Sequence, residues 1–277
     1  RIPITPTAIM QGHFLDVFYV REGYPIGAMF GYKTDGLYQC RDFSDFYDAN
    51  GTFISDKAQQ KAIYDNIKGN NGQFTLREGV VSRGNVVEPG YLKLKKQGEG
   101  DVITSDDKVY LGSNEPKFFG GFTNRFSYKN VELSIFLQFS YGNKLFNTNH
   151  AMLRGYNNYN IEQQYYDNMW TIDRQNAPLH IYSDNIGRQT ATELQAEDAS
   201  YLKIKEISFS YRLPKKAMRH LGVKGAKVFV SGINLFTFTK YSWYDPEFSS
   251  TNPLTGGLDK YSYPTARTFN AGFSIDL

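Results

Sequence analysis

No stretch of the 277-residue sequence approaches the roughly 18 consecutive apolar residues of a membrane helix, so a helical membrane protein is excluded. Cysteine occurs once, at Cys40; an internal disulfide is impossible and a cysteine-built metal site is ruled out. Charge of either sign is not in excess: 31 basic and 28 acidic residues leave a net +3, and no basic block points to nucleic acid. The four histidines, His13, His150, His180 and His220, form no metal-spaced pair. There is no Gly-x-Ser-x-Gly elbow and no phosphate loop, so no motif argues for an enzyme. The opening Arg1-Ile2-Pro3-Ile4 carries no charged n-region followed by an apolar core, and an upstream N-terminus is expected if the protein is exported.

What the sequence does have is aromatic side chains. Phe and Tyr number 21 each, with 2 Trp, while mean hydropathy is only −0.50. Tyr and Phe suit β-strands and the two interfaces of a bilayer. A barrel strand is half apolar and averages out on a hydropathy scale, so the low mean is compatible with a membrane barrel. An aromatic-rich sugar-binding domain would have the same composition.

Period-2 alternation dominates the pattern. Val131, Leu133, Ile135, Leu137, Phe139 and Tyr141 share one face; Glu132, Ser134, Gln138 and Ser140 share the other, with Phe136 the exception. Lys117 to Lys129 repeats the rhythm, and Lys129-Asn130 reads as a tight hairpin turn. In the last strand, Phe269, Ala271, Phe273, Ile275 and Leu277 alternate with Thr268, Asn270, Gly272, Ser274 and Asp276. Further strands are expected at His13–Arg21, Ile26–Gln39, Tyr201–Leu213 and Ala226–Phe238, about seven in all. Within Tyr201–Leu213 the apolar phase slips from Leu202 and Ile204 to Ile207, Phe209 and Tyr211, which predicts a β-bulge near Lys205-Glu206.

The connections alternate strictly. Arg21–Ile26, Lys129–Val131 and Leu213–Ala226 are short; Gln39–Lys117, Gly142–Ala199 and Phe238–Thr265 are long. Long structureless connections are uncommon in compact domains, whereas outer-membrane barrels pair short periplasmic turns with long extracellular loops. The strands, at roughly 9–14 residues, match the length that spans a bilayer better than the mean of soluble sheets.

Within the long connections, Asp56–Lys68, Ile161–Trp170 and Pro214–Leu221 read as helices. Asp and Glu scatter through the same loops as solvated carboxylates, with nothing to mark a catalytic pair. Gln97 to Asp107 resembles a worn calcium loop, but Lys95 and Lys96 stand near its start and glycines take ligand positions, so no metal or other cofactor is expected. The candidate substrate-binding residues are aromatic and polar loop side chains: Arg154, Tyr156, Asn158, Tyr159, Trp170, Trp243 and Tyr244. Aromatic faces stack on sugar rings or peptide side chains, and Arg and Asn bond their polar groups. Asp245-Pro246 also reads as a turn, which gives Trp243 to Glu247 a structural explanation as well.

Several stretches, in order, resemble one family. They are Arg21-Glu22-Gly23-Tyr24-Pro25-Ile26-Gly27, Gly31 to Gly36, Ala199 to Pro214, Val228 to Phe238 followed by Tyr244-Asp245-Pro246-Glu247, and Tyr263-Pro264-Thr265-Ala266-Arg267-Thr268-Phe269. Together they resemble the C-terminal barrel portion of SusC/RagA-type TonB-dependent outer-membrane transporters. The resemblance implies a 22-stranded barrel, of which residues 1–277 are the C-terminal part, with the plug domain absent from this chain. It further implies nutrient import, a SusD-like surface lipoprotein as partner, and TonB acting through the missing N-terminal part. Outer-membrane lipid, an oligosaccharide or peptide substrate and a Bacteroidetes outer membrane complete the picture. Two departures stand out: Lys96 to Ile103 replaces an Asp-rich loop common in the family, and the chain ends in Leu277 where many barrels end in an aromatic residue.

The expected fold is therefore all-β, an open segment of a large transmembrane β-barrel that exposes two edges and cannot fold alone in water. Phe269, Phe273, Ile275 and Leu277 would face lipid, and Asn270, Ser274 and Asp276 the lumen. The competing expectation is a soluble β-sandwich carbohydrate-binding module with both sheet faces covered.

Overall fold

The computed structural model describes residues 2–3, 17–84, 86–150, 160–182, 184, 190–214, 216, 218, 222–247 and 253–276. The chain divides into two compact units. One is built from Ser113–Leu145, Glu197–Asn252 and Gly256–Leu277, the other from Arg1–Gly112, Phe146–Ala196 and Pro253–Thr255.

The first unit is an antiparallel sheet of five long strands: β1 (Phe118–Tyr128), β2 (Val131–Tyr141), β3 (Tyr201–Arg212), β4 (Gly225–Thr239) and β5 (Thr268–Asp276). Their spatial order is β5-β4-β3-β2-β1, so each strand lies beside its neighbour in sequence. β1 and β2 meet at the two-residue turn expected at Lys129-Asn130, with Tyr128 opposite Val131 and Lys129 at φ +52. All the short turns of this sheet lie at one end and the long connections at the other.

The register assigns every side chain to a face. Phe122 pairs with Leu137, Leu137 with Ile204 and Ile204 with Phe236; Phe126, Leu133, Phe209, Val230 and Ala271 form another such row. Pairing sets these residues on one face, and that face is apolar from edge to edge. Fourteen of its large apolar side chains are more than 40% exposed, including Phe122, Phe209, Val230, Phe236, Phe269 and Phe273. The other face carries Arg125, Glu132, Gln138, Lys203, Ser208, Ser231, Asn270 and Ser274. A sheet with an uncovered apolar face and a polar opposite face inverts the soluble arrangement and matches a barrel wall between lipid and lumen. The sandwich expectation required that apolar face to be covered by a second sheet.

Phe136 breaks the alternation by standing on the polar face. It packs against Gly121, where a Cβ would lie 2.7 Å from the ring, so a glycine notch in β1 receives it.

The predicted bulge is present, and it is double. Against β2, Ile204 pairs with Leu137 and Glu206 with Phe136, leaving Lys205 as an extra residue in β3. Against β4, the same two residues pair with Phe236 and Ile233, leaving Asn234 and Leu235 opposite Lys205. Asn234 takes a left-handed conformation at φ +55, which asparagine tolerates better than most residues. The bulges shift the phase of both strands together and keep Leu202, Ile204, Ile207 and Phe209 of β3 on one face with Val228, Val230, Phe236 and Phe238 of β4.

The second unit differs from the sequence expectation. Ile26–Gln39 is not one long strand: it holds two strands of 4 residues, Ala28–Gly31 and Thr34–Leu37. Gly27 and Gly36, at φ +77 and +75, bend the chain where a spanning strand would run straight. Ala28–Gly31 is buried throughout, and Thr34–Leu37 pairs with Leu92–Leu94. Neither reaches the 9–11 residues needed to cross a bilayer. His13–Arg21 falls partly outside the described residues, and the described Tyr19–Val20 pairs with Ile2–Pro3. Five of the seven expected strands thus form the long sheet.

The long connections in this unit are not loose. Helix α1 (Lys57–Gly69) starts at Asp56, whose carboxylate accepts the Gln59 amide at 2.8 Å. Its Tyr64 joins Tyr38, Phe43, Phe46, Phe74 and Trp170 in an aromatic core. The second predicted helix is shorter than expected, Gln163–Asn168 (α2), and the third falls mostly outside the described residues. Among the described residues no helix is long and apolar enough to cross a membrane.

Candidate functional site

The structure brings together two stretches more than 30 residues apart in sequence, Lys203-Ile204-Lys205 and Asp245-Pro246-Glu247. Lys203 projects from the polar face of β3, near the end that carries the long connections, and is 1% exposed. A lysine so buried requires paired, hydrogen-bonded counter-charges. Its Nζ donates to Asp245 Oδ1 at 2.6 Å and to Glu247 Oε2 at 2.7 Å. Lys205, the extra residue of the β3 bulge, donates to the same Glu247 oxygen at 2.7 Å. Alternation by itself sets Lys203 and Lys205 on one face; the bulge after Ile204 places Glu206 on that polar side as well and returns Ile207 to the apolar face.

Further polar groups complete the cluster. Gln138 Nε2, from β2, donates to Glu247 Oε1 and to the Tyr201 hydroxyl, each at 3.1 Å. Thr265 Oγ1 donates to Asp245 Oδ2 at 2.5 Å, and the Glu247 amide donates to Asp245 Oδ1 at 2.9 Å. Asn234 accepts from Lys205 at 3.4 Å and donates to the Ala266 carbonyl at 3.1 Å, tying the β4 bulge to the segment that leads into β5. Two ammonium groups face two carboxylates, so the cluster is neutral as a whole. Burial pushes the Asp245 carboxyl up, but hydrogen bonds from Lys203, Thr265 and the Glu247 amide outweigh it and hold Asp245 below the usual carboxylate range. Glu247 is likewise held low: burial opposes, and the two lysines prevail.

The chain between β4 and Glu247 is anchored at its near end as well. Tyr241 donates to Asp259 at 2.5 Å, and the Ser242 amide and hydroxyl each reach Glu197 at 2.8 Å. Trp243 packs against Leu145, Ala199 and Tyr241. Tyr244, whose ring centroid lies 4.7 Å from that of Trp243, is 67% exposed.

Of the predicted substrate-binding residues, Trp243 and Tyr244 sit on this clamped segment, and only Tyr244 presents its ring outward. Trp170 is fully buried in the aromatic core of the other unit, against Tyr64 and Gly90, so its ring packs the loop core and has no surface to offer a ligand. Arg154, Tyr156, Asn158 and Tyr159 lie outside the described residues. Sequence reasoning passed over Lys203, Lys205 and Gln138. The available signal was a Lys-x-Lys pair at the phase slip of β3, together with acidic residues flanking a proline.

In the calcium-like loop, Lys96 Nζ lies against both oxygens of Asp107. Among the described residues no cluster of three or more histidine, cysteine or carboxylate side chains is gathered as a metal ion requires.

No family model matches the chain. Among characterised proteins it is similar to TonB-dependent receptor P3 of Formosa agariphila, 29% identical over 273 residues, covering 95% of this chain and 24% of that receptor. TonB-dependent receptor P26 of the same organism is 30% identical over 189 residues, or 65% of this chain and 19% of the receptor. TonB-dependent receptor SusC of Bacteroides thetaiotaomicron is 25% identical over 255 residues, or 85% of this chain and 22% of SusC. The fold matches the RagAB peptide importer in its open-open state with a TM-score of 0.62 at 18% identity, over 94% of this chain and 24% of that one. The chain spans about a quarter of the length of the relatives it matches along most of its length. With the five-stranded, one-face-apolar sheet, these similarities support a fragment of a SusC-like TonB-dependent receptor.

Proposed function

We propose that this chain is the C-terminal wall of an outer-membrane β-barrel that imports a nutrient in a TonB-dependent cycle, working with a SusD-like surface lipoprotein. The observation that carries the reading is the uncovered apolar face of the sheet, backed by a polar face with no comparable aromatic band. Lipid contacts the first and the aqueous lumen the second. The short turns then lie on the periplasmic side, and the strand ends that lead into the long connections lie on the outer side. The plug and the TonB-contacting segment belong to other parts of the receptor.

The cargo is an oligosaccharide or an oligopeptide. RagAB is a peptide importer, which supports the second class as readily as the aromatic loops support the first. Tyr244 is the described candidate for cargo contact, because its ring is exposed on an anchored segment. Arg154, Tyr156, Asn158 and Tyr159 remain candidates on the long connection between β2 and β3. The role of the wall is passage and contact.

The test is the behaviour of the full-length gene product in its own cells. Outer-membrane recovery, detergent dependence and a gel shift on boiling are expected, with a surface lipoprotein co-purifying. Recovery as a water-soluble monomer without a heat-dependent shift contradicts the reading.

A further inference from the structure

The segment 240–247 leaves the end of β4 among the long connections, where free excursion into solvent would be expected. Instead it folds back over the polar face of the sheet. Lys203 marks the depth: it points from the polar face, and it is 1% exposed, with Asp245 and Glu247 against its ammonium. Four separate attachments hold the segment: Tyr241 to Asp259, Ser242 to Glu197, Asp245 to Lys203 and Thr265, and Glu247 to Lys203, Lys205 and Gln138. Among the described residues Lys203 alone joins both carboxylates by its side chain, so its loss undoes two attachments together.

The electrostatics favour a fixed arrangement over a sliding one. With Lys203 removed, Asp245 keeps Thr265 and the Glu247 amide and Glu247 keeps Lys205 and Gln138, but the half-buried cluster carries one uncompensated negative charge, which favours an acid in water. An acid returns to water by carrying the chain outward. The paired cluster therefore holds the segment closed against the wall, and loss of the pairing favours the segment in solvent.

We propose that Lys203 is a positioning residue that latches segment 240–247 against the inner wall, making it a fixed inward rim of the barrel mouth that holds the exposed ring of Tyr244 in one place. The inference rests on the barrel reading for its inside and outside, but not on import: the latch is a property of the assembled wall whether or not any cargo passes.

The experiment is amide hydrogen exchange, read by mass spectrometry, on the full-length receptor in detergent. Wild type is compared with Lys203→Met, and heat-modifiable migration certifies assembly of each. Amides of 241–247 should exchange at least tenfold faster in the variant, while those of the hairpin at Lys129-Asn130 stay unchanged. The charge-reversed pair Lys203→Glu with Glu247→Lys should restore protection relative to Lys203→Glu alone, which a mere packing role for residue 203 does not produce. If Lys203→Met does not assemble, Glu247→Gln carries the test, with a smaller acceleration expected. Wild-type exchange at 241–247 in an assembled Lys203→Met or Glu247→Gln receptor overturns the latch. Acceleration in the variant, beside a wild-type receptor that imports nothing, overturns the transport reading alone.

Discussion

Lys96 Nζ lies 3.0 and 2.9 Å from the two carboxylate oxygens of Asp107. The same carboxylate accepts the amides of Gln97 at 2.9 Å and Thr104 at 2.7 Å, and it is 2% exposed. A tethered ammonium thus occupies the place a bound cation takes in a calcium loop, and the backbone closes around the acid. The order of residues 97–107 should be indifferent to chelators, and Lys96→Met should loosen it. Breaking one partner of a buried pair costs about 3–5 kcal/mol. Amide exchange of this loop in the full-length receptor, with and without a chelator, checks both statements. Chelator-induced loosening of the wild type contradicts the first.

The same carboxylate sets a pH dependence. Burial pushes Asp107 up, but the amides of Thr104, Gln97 and Gly98 and the Lys96 ammonium outweigh it and hold the group well below the usual carboxylate range. A folded-state value below the unfolded one contributes stability above about pH 4, and that stability is lost as pH falls through the folded value. Protection of 97–107, corrected for intrinsic exchange, should be flat from neutrality to about pH 5 and fail only in stronger acid. Loss of protection between neutrality and about pH 5 contradicts the assignment.

Val230 and Ser231 are neighbours on opposite faces of β4. Arginine at a lipid-facing position near the bilayer midplane costs about 2–4 kcal/mol, whereas a lumen position tolerates it. Val230→Arg should therefore reduce assembled receptor in the outer membrane, and Ser231→Arg should not. Heat-modifiable protein per cell measures the contrast; equal yields sink the assignment of faces.

At Gly90, φ is +89 and a Cβ would lie 2.5 Å from the Trp170 ring. Gly90→Ala combines overpacking of about 1–3 kcal/mol with a left-handed backbone penalty of about 1–2 kcal/mol. Protease resistance of the segments around Trp170 should fall while the barrel still migrates in its heat-modifiable form. Unchanged resistance contradicts the packing.

Asn234 combines a left-handed backbone with a bond to the Ala266 carbonyl. Asn234→Gly should cost about 1 kcal/mol, the worth of the lost hydrogen bond. Asn234→Val adds a β-branched side chain at positive φ and should cost clearly more. Denaturant unfolding of the detergent-solubilised receptor ranks the two; the reverse order removes the bulge from the explanation.

The sequence by itself determined the wall. Period-2 alternation is local, and in β1, β2 and β5 it assigned faces residue by residue; even the bulge in β3 was legible, because Ile204 and Ile207 cannot share a face without an extra residue between them. The Lys129-Asn130 turn and helix α1 were local for the same reason. Ile26–Gln39 misled because its apolar residues continue through glycines whose positive φ breaks the strand. Trp170 misled because an aromatic ring in a polar loop has the same composition whether it meets a ligand or a core. Only the tertiary structure decided these two, along with the meeting of Lys203 with Asp245 and of Lys96 with Asp107. Which charges pair depends on how the chain returns to the wall, and that path is set by packing between segments distant in sequence, where no local period carries information.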